Sequence, residues 1–238
     1  MKQNVHCGIR VLRRWALILA MLAVLLFSAA GTTRIASMRT YLVAYGGFLL
    51  VAMSAVDPRL ARERTAPGPD VAAPHLRLMS GVFFLLTLAT AALAVGRLHI
   101  LAVPSQARWF ALLLFGLSST LQGWAMIRNP FFSPVVRIQS EHGHHLITTG
   151  PYRFVRHPGY LSMCVSIPAS AIAIGSWLAL IPAGVFVATI LWRARIEDEF
   201  LRKHLAGYQQ YASCVPDALV PRLHRCFEAV PFSEYHDE

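Results

Sequence analysis

The chain has 238 residues, of which 55% are hydrophobic and only 14% charged, with a mean hydropathy of +0.49. A soluble domain is nearer a quarter charged, so this balance excludes a disordered chain, a small disulfide scaffold and a protein with nucleic acid as its partner. The net charge of +10 is scattered in short clusters between long apolar runs, which is the pattern of membrane topology.

The apolar runs are measured between their charged borders. Nineteen uncharged residues lie between Arg14 and Arg34, 17 between Arg39 and Asp57, 19 between Arg77 and Arg97, and 19 between Arg108 and Arg128. Each predicts one transmembrane helix. Residues 1–30 also have the outline of a cleavable signal peptide, with a basic start, an apolar core and Ser28-Ala29-Ala30. The length of the run, and its passage straight into another span, favour a retained helix. Asp57-Pro58-Arg59-Leu60, followed by Glu63-Arg64, reads as an interfacial turn with no catalytic part.

The fifth run is too long for one span: 35 uncharged residues extend from Pro158 to Trp192, with Gly175-Ser176 at the centre. Two helices joined by a tight turn there form a hairpin. Pro168 and Pro182 lie within its halves and predict kinks or local unwinding. The fold class is therefore all-α, a polytopic bundle of about six transmembrane helices. Eighteen of the 22 Lys and Arg residues fall on one side of this arrangement, which predicts both termini in the cytoplasm. The four cysteines show no metal or redox spacing.

Polar residues gather in two places, both expected on the cytoplasmic side. One is the stretch 128–160 before the hairpin. The other begins at the inner end of the last span, Arg193 to Tyr211. The hairpin makes its two ends neighbours and brings Arg156-His157-Pro158 close to Arg193-Ala194-Arg195-Ile196-Glu197-Asp198-Glu199. On a helix Arg193 faces Glu197 and Arg195 faces Glu199, since positions four apart share a face. Those pairs read either as an interfacial cap with snorkelling arginines or as a cofactor site. Pro158 suits the first turn of a helix, and His157 just before it either caps that helix or donates to an anionic group. Glu141-His142-Gly143-His144-His145 suggests a metal, but no further ligand stands at motif spacing, so no metal is expected and the tract reads as a loop lining a pocket. Leu201, Leu205, Tyr208 and Tyr211 recur at helical spacing and predict a short amphipathic C-terminal helix.

Several of these segments together resemble a known family. Gln139, His144-His145-Leu146-Ile147-Thr148-Thr149-Gly150-Pro151-Tyr152 and Arg156-His157-Pro158-Gly159-Tyr160, then Arg193-x-Arg195-x-Glu197-Asp198-Glu199, Gly207-Tyr208, Tyr211 and Val215-Pro216, are similar to the isoprenylcysteine carboxyl methyltransferase family. The resemblance covers about residues 120–220. It divides the chain into N-terminal transmembrane helices, 1–127, and a cofactor-binding methyltransferase region, 128–238. It implies an integral membrane enzyme, of the inner membrane if bacterial, that uses S-adenosylmethionine. The methyl acceptor would be a lipophilic or lipid-modified molecule entering from the bilayer, a carboxylate of isoprenylcysteine type or a related small lipophilic thiol or amine. Carried over by position, Gln139, His144, His145, Leu146, Ile147, Tyr152, His157 and Glu199 would contact the cofactor. Arg195 would hold the acceptor, with Glu197 and Arg156 near the reacting group. Asp198 is expected to face solvent. Two other classes compete. Membrane steroid and enone reductases have a similar hairpin but carry an Arg-Asp pair and a Lys-Tyr-Gly stretch, where Leu205-Ala206-Gly207-Tyr208 stands here. A transporter would place ionisable groups within the spans, and none are seen.

Overall fold

A computed structural model describes residues 2–55, 63, 67–68, 71–100 and 102–221, with side chains from Leu12 onward. The expected turn at Asp57–Leu60, Arg64 and the tail after residue 221 lie outside the described residues. Among the described residues the α-helices with defined bounds are, in order, α1 (Lys2–Ala30), α2 (Ala36–Ala55), α3 (Pro74–Leu93), α4 (Ser105–Arg128), α5 (Pro158–Ile174), α6 (Leu180–His204) and α7 (Tyr208–Cys214). The described residues contain no strand, only isolated bridges at Ala72–Val136 and Ala102–Ser176.

Four helical segments, Leu12–Ala30, Ala36–Ser54, Pro74–Leu98 and Ser105–Arg128, are long and apolar enough to cross a membrane. Their outward faces are apolar: Met21, Val24, Val43, Phe110 and Leu117 are all more than 60% exposed. A soluble protein does not leave so continuous an apolar surface in water. Toward the interior the residues are small or tightly packed, as membrane helices require when lipid offers no hydrophobic drive to associate. Ser162, Ser166 and Ser170 recur every four residues along α5 and are buried, and each returns its hydroxyl to a backbone carbonyl of its own helix.

The core is thickest at one end of the bundle. Leu22, Leu26 and Ala30 of α1, Met38 and Tyr41 of α2, Leu88 and Ala91 of α3, Phe115 of α4 and Ile174 of α5 form a single buried cluster. At that end the C-terminal carbonyls of α1 are capped by Arg97, which donates to Ala29 O at 2.9 Å and Ser28 O at 3.1 Å. A cation there also complements the helix dipole. The first helix is thus built into the bundle.

The hairpin turns where expected. α5 has 17 residues and stops at Gly175, and α6 starts at Leu180. The turn is pinned from outside the hairpin, since Ser37 Oγ donates to Ile174 O at 2.6 Å and the Val103 N–H to Gly175 O at 3.0 Å. The two prolines act differently from one another. Pro168 is inside α5, where it removes a hydrogen bond. Pro182 is the third residue of α6, so the expected interior kink does not arise: amides of a helix's first turn have no intrahelical partner to lose. α6 then continues to His204, well past the apolar run. This extension carries the acidic cluster out of the bundle toward the loop between α4 and α5.

Candidate active site

The loop from Asn129 to His157 has little regular structure beyond two 3-10 turns, so its backbone groups are satisfied partly by local turns and partly by side chains. Asn129 Oδ1 accepts from the Phe131 N–H at 2.9 Å, and Asn129 Nδ2 donates to Tyr152 Oη at 3.1 Å. Gln139, buried, donates from Nε2 to Phe131 O at 3.0 Å, while its backbone N–H donates to His144 Nδ1 at 3.2 Å. These bonds fold residues 131–147 over on themselves. His144 stacks on Phe131 at 4.3 Å between centroids, and His145 meets the same ring edge-on at 5.0 Å. Burial lowers the pKa of His144 to about 4, so its ring is neutral at physiological pH.

The loop forms one wall of a pocket; the start of α5, the C-terminal part of α6 and the start of α7 form the rest. Its lining includes Phe131, His144, His145, Leu146, Ile147, Tyr152, Arg156, His157, Tyr160, Glu197, Leu201, Leu205, Tyr208 and Tyr211. Gly159 permits the close join of loop and helix, since a Cβ there would stand 2.2 Å from the Phe132 ring. The C-terminal segment locks the corner: the N–H groups of Arg156 and His157 donate to Asp217 O at 3.0 Å and Ala218 O at 2.8 Å. Tyr211 Oη donates to Tyr152 O at 2.7 Å.

Two carboxylates organise the polar side. Asp198 accepts from Arg156 Nε at 2.7 Å and Nη2 at 3.1 Å, and from the hydroxyl of Tyr208 at 2.7 Å. It also lies 3.4 Å from His157 Nε2 and accepts from Arg202 at 3.2 Å. Burial alone would raise its pKa, but the hydrogen bonds from His157, Arg156 and Tyr208 outweigh burial and hold the carboxyl well below the usual range. Asp198 therefore does not face solvent as expected. α6 is rotated so that its side chain points at the loop, because Arg156 is buried there and needs a counter-charge. Glu197 stands one position away and accepts from Tyr160 Oη, which itself accepts from Arg193 Nε at 2.7 Å. Arg193 is buried and donates also to Ser133 O at 3.2 Å. The expected direct pair Arg193–Glu197 is thus bridged by a tyrosine.

Of the residues singled out in the sequence, His144, His145, Leu146, Ile147, Tyr152, Arg156, His157 and Glu197 come together around the pocket. Gln139 sits behind the wall as a brace. Arg195 and Glu199 lie elsewhere: both are exposed, and Glu199 pairs with Lys203 at 2.7 Å. Tyr160 and Tyr208 received no role from the sequence beyond motif membership and packing, yet Tyr160 holds the pocket carboxylate Glu197, and Tyr208 holds Asp198, the partner of Arg156. Among the described residues no three His, Cys, Asp or Glu side chains converge as a metal site.

This geometry falls in a segment with recognisable relatives. Residues 106–207 match the phospholipid methyltransferase family model. The resemblance to the isoprenylcysteine carboxyl methyltransferase family holds here. Two rice proteins, from Oryza sativa subsp. indica and subsp. japonica, each named as a probable protein-S-isoprenylcysteine O-methyltransferase, are 35% identical to the chain over 94 residues. The similarity covers 37% of this chain and 47% of each relative, so the chain spans about half the length of the curated relatives it matches.

Proposed function

We propose that the protein is an integral membrane methyltransferase that transfers a methyl group from S-adenosylmethionine to a lipophilic carboxylate of isoprenylcysteine type. The observation that carries this reading is the pocket itself, which joins a polar loop to the inner ends of membrane helices within the segment shared with methyltransferases. Its residues fit the methyl donor. Phe131, Leu146, Ile147, Tyr152 and Leu205 offer an apolar and aromatic wall suited to a purine ring. Glu197 and His157 offer an acceptor and an imidazole suited to ribose hydroxyls or an amino-acid group.

When bound, S-adenosylmethionine supplies a methyl group already activated on a sulfonium. The protein's work is then positioning and electrostatics. His144, His145, Leu146, Ile147 and Tyr152 shape the donor side, with Gln139 bracing them from behind. Arg156 and His157 are held in place by Asp198. A carboxylate acceptor needs no general base. Arg193, buried and bonded to the Tyr160 hydroxyl that donates to Glu197, is better placed to act on it than the exposed Arg195. Glu197 would become a proton acceptor only for a thiol or amine. The likeness to the rice proteins supports the carboxylate.

The test is methyl transfer in detergent from labelled S-adenosylmethionine to an S-farnesylated cysteine derivative with a free carboxylate. The product should release labelled methanol in alkali, because an ester forms. An alkali-stable methylated product, or transfer only to an amine or thiol, would contradict O-methylation.

A further inference from the structure

A second buried charge cluster stands behind the pocket and has no part in the reading above. Arg137 donates from Nε to Glu63 Oε1 and from Nη2 to Glu63 Oε2, both at 2.8 Å. Nη2 also donates to Glu141, and Nη1 to Ile138 O at 3.4 Å. Ser133 Oγ adds a bond to Glu63 Oε1 at 3.1 Å. Both Glu63 and Arg137 are 5% exposed. Arg137 contributes to the pocket lining, but four of its five N–H groups are taken by the chain itself, so it acts on its own loop more than on a ligand.

The partners come from distant parts of the sequence: Glu63 precedes Arg137 by 74 residues and lies before α3, outside the segment that matches the methyltransferases. The Ala72 N–H donates to Val136 O at 2.8 Å, so the same stretch is bonded to the loop backbone next to Arg137. Gly68 packs on the guanidinium so closely that a Cβ would stand 2.8 Å from it. Together these contacts hold the segment from Ser133 to Glu141, which leads directly into His144, Leu146 and Ile147.

We propose that Glu63 is a positioning residue for the pocket: through Arg137 it fixes the loop that presents His144, Leu146 and Ile147. The inference rests on the cofactor reading above. Removing one partner of a buried ion pair leaves the other uncompensated, and here Arg137 would retain Glu141, whose side chain is 46% exposed. The guanidinium would then follow Glu141 toward water and take the loop with it.

The experiment compares wild type, Glu63→Ala and Glu63→Gln in detergent, by hydrogen exchange without ligand and by S-adenosylhomocysteine titration. Glu63→Ala should speed amide exchange in residues 133–147, leave α4 and α5 unchanged, and weaken binding at least about tenfold. Glu63→Gln, which keeps the shape and some hydrogen bonds, should fall between. If Glu63→Ala unfolds as a whole, Glu63→Gln decides by the same two readings. Unchanged exchange in 133–147, or affinity within twofold of a wild type that binds, overturns the proposal. A wild type that does not bind at all defeats the cofactor reading instead, and exchange alone then decides whether Glu63 holds the loop.

Discussion

At Asp198 a single carboxylate accepts from Arg156, Tyr208 and Arg202 and lies against His157. Replacing it by Asn removes the charge that Arg156 is buried against, so Asp198→Asn should destabilise the fold by roughly 1–3 kcal/mol and weaken S-adenosylhomocysteine binding, as read by thermal denaturation and titration. The pH dependence has a definite sign. The folded pKa of Asp198 lies below that of an unfolded aspartate, about 3.9, so its contribution is complete above that value and is lost only as pH falls through the folded one. His144 behaves differently. Its pKa drops from 6.5 to about 4 on folding, so the unfolded chain binds the extra proton first and stability should fall as pH is lowered between those values. His144→Gln should flatten that slope between pH 6.5 and 4; a slope unchanged by the substitution would place its origin elsewhere. The two arginines of α6 separate by burial. Arg193→Ala should lower turnover about a hundredfold, with Arg195→Ala within a few fold of wild type, and the reverse order would restore the acceptor role to Arg195.

At the scale of elements, the hairpin and the C-terminal segment work as one unit. The carbonyls of Val215, Asp217 and Ala218 take the Arg156 side chain and the backbone N–H groups of Arg156 and His157. A chain ended after Cys214 should therefore lose S-adenosylhomocysteine binding while α1 to α4 stay folded, as read by calorimetry and by exchange in those helices; retained binding would show that the strap is dispensable. The hairpin was legible in the sequence because its signals are local: an apolar run too long for one span, and Gly175-Ser176 at its middle. The four preceding helices were legible for the same reason, as uncharged runs of nearly one bilayer thickness. The polar wiring was not. Spacing of four along α6 pairs Arg193 with Glu197 and Arg195 with Glu199, but Tyr160 from α5 enters between the first pair, and Lys203 takes Glu199. Helix periodicity knows only its own helix, and the rotation of α6 is decided by the buried Arg156 on another element. Glu63 was passed over because its partner lies far along the chain, where no sequence spacing points to it.

Across the whole molecule, packing is divided between two ends. One end is closed by the cluster of Leu26, Met38, Tyr41, Leu88 and Ile174, and the hairpin turn is fastened there. The other end opens into the pocket. This division sets a loop-built site on the ends of packed helices, which hold its side chains more precisely than loops alone would. If the orientation read from the basic residues is right, reporter fusions at Gly143 and at the C-terminus will both report the cytoplasm, and an external Gly143 would separate the pocket from a cytoplasmic cofactor. Whether the pocket binds a methyl donor of the S-adenosylmethionine type is tested directly by calorimetry on the purified protein in detergent, with S-adenosylhomocysteine and reduced nicotinamide dinucleotide titrated side by side. S-adenosylhomocysteine should bind saturably, more weakly to Asp198→Asn, and the nicotinamide should not bind. Binding of the nicotinamide alone would contradict this and assign the same hairpin to reduction.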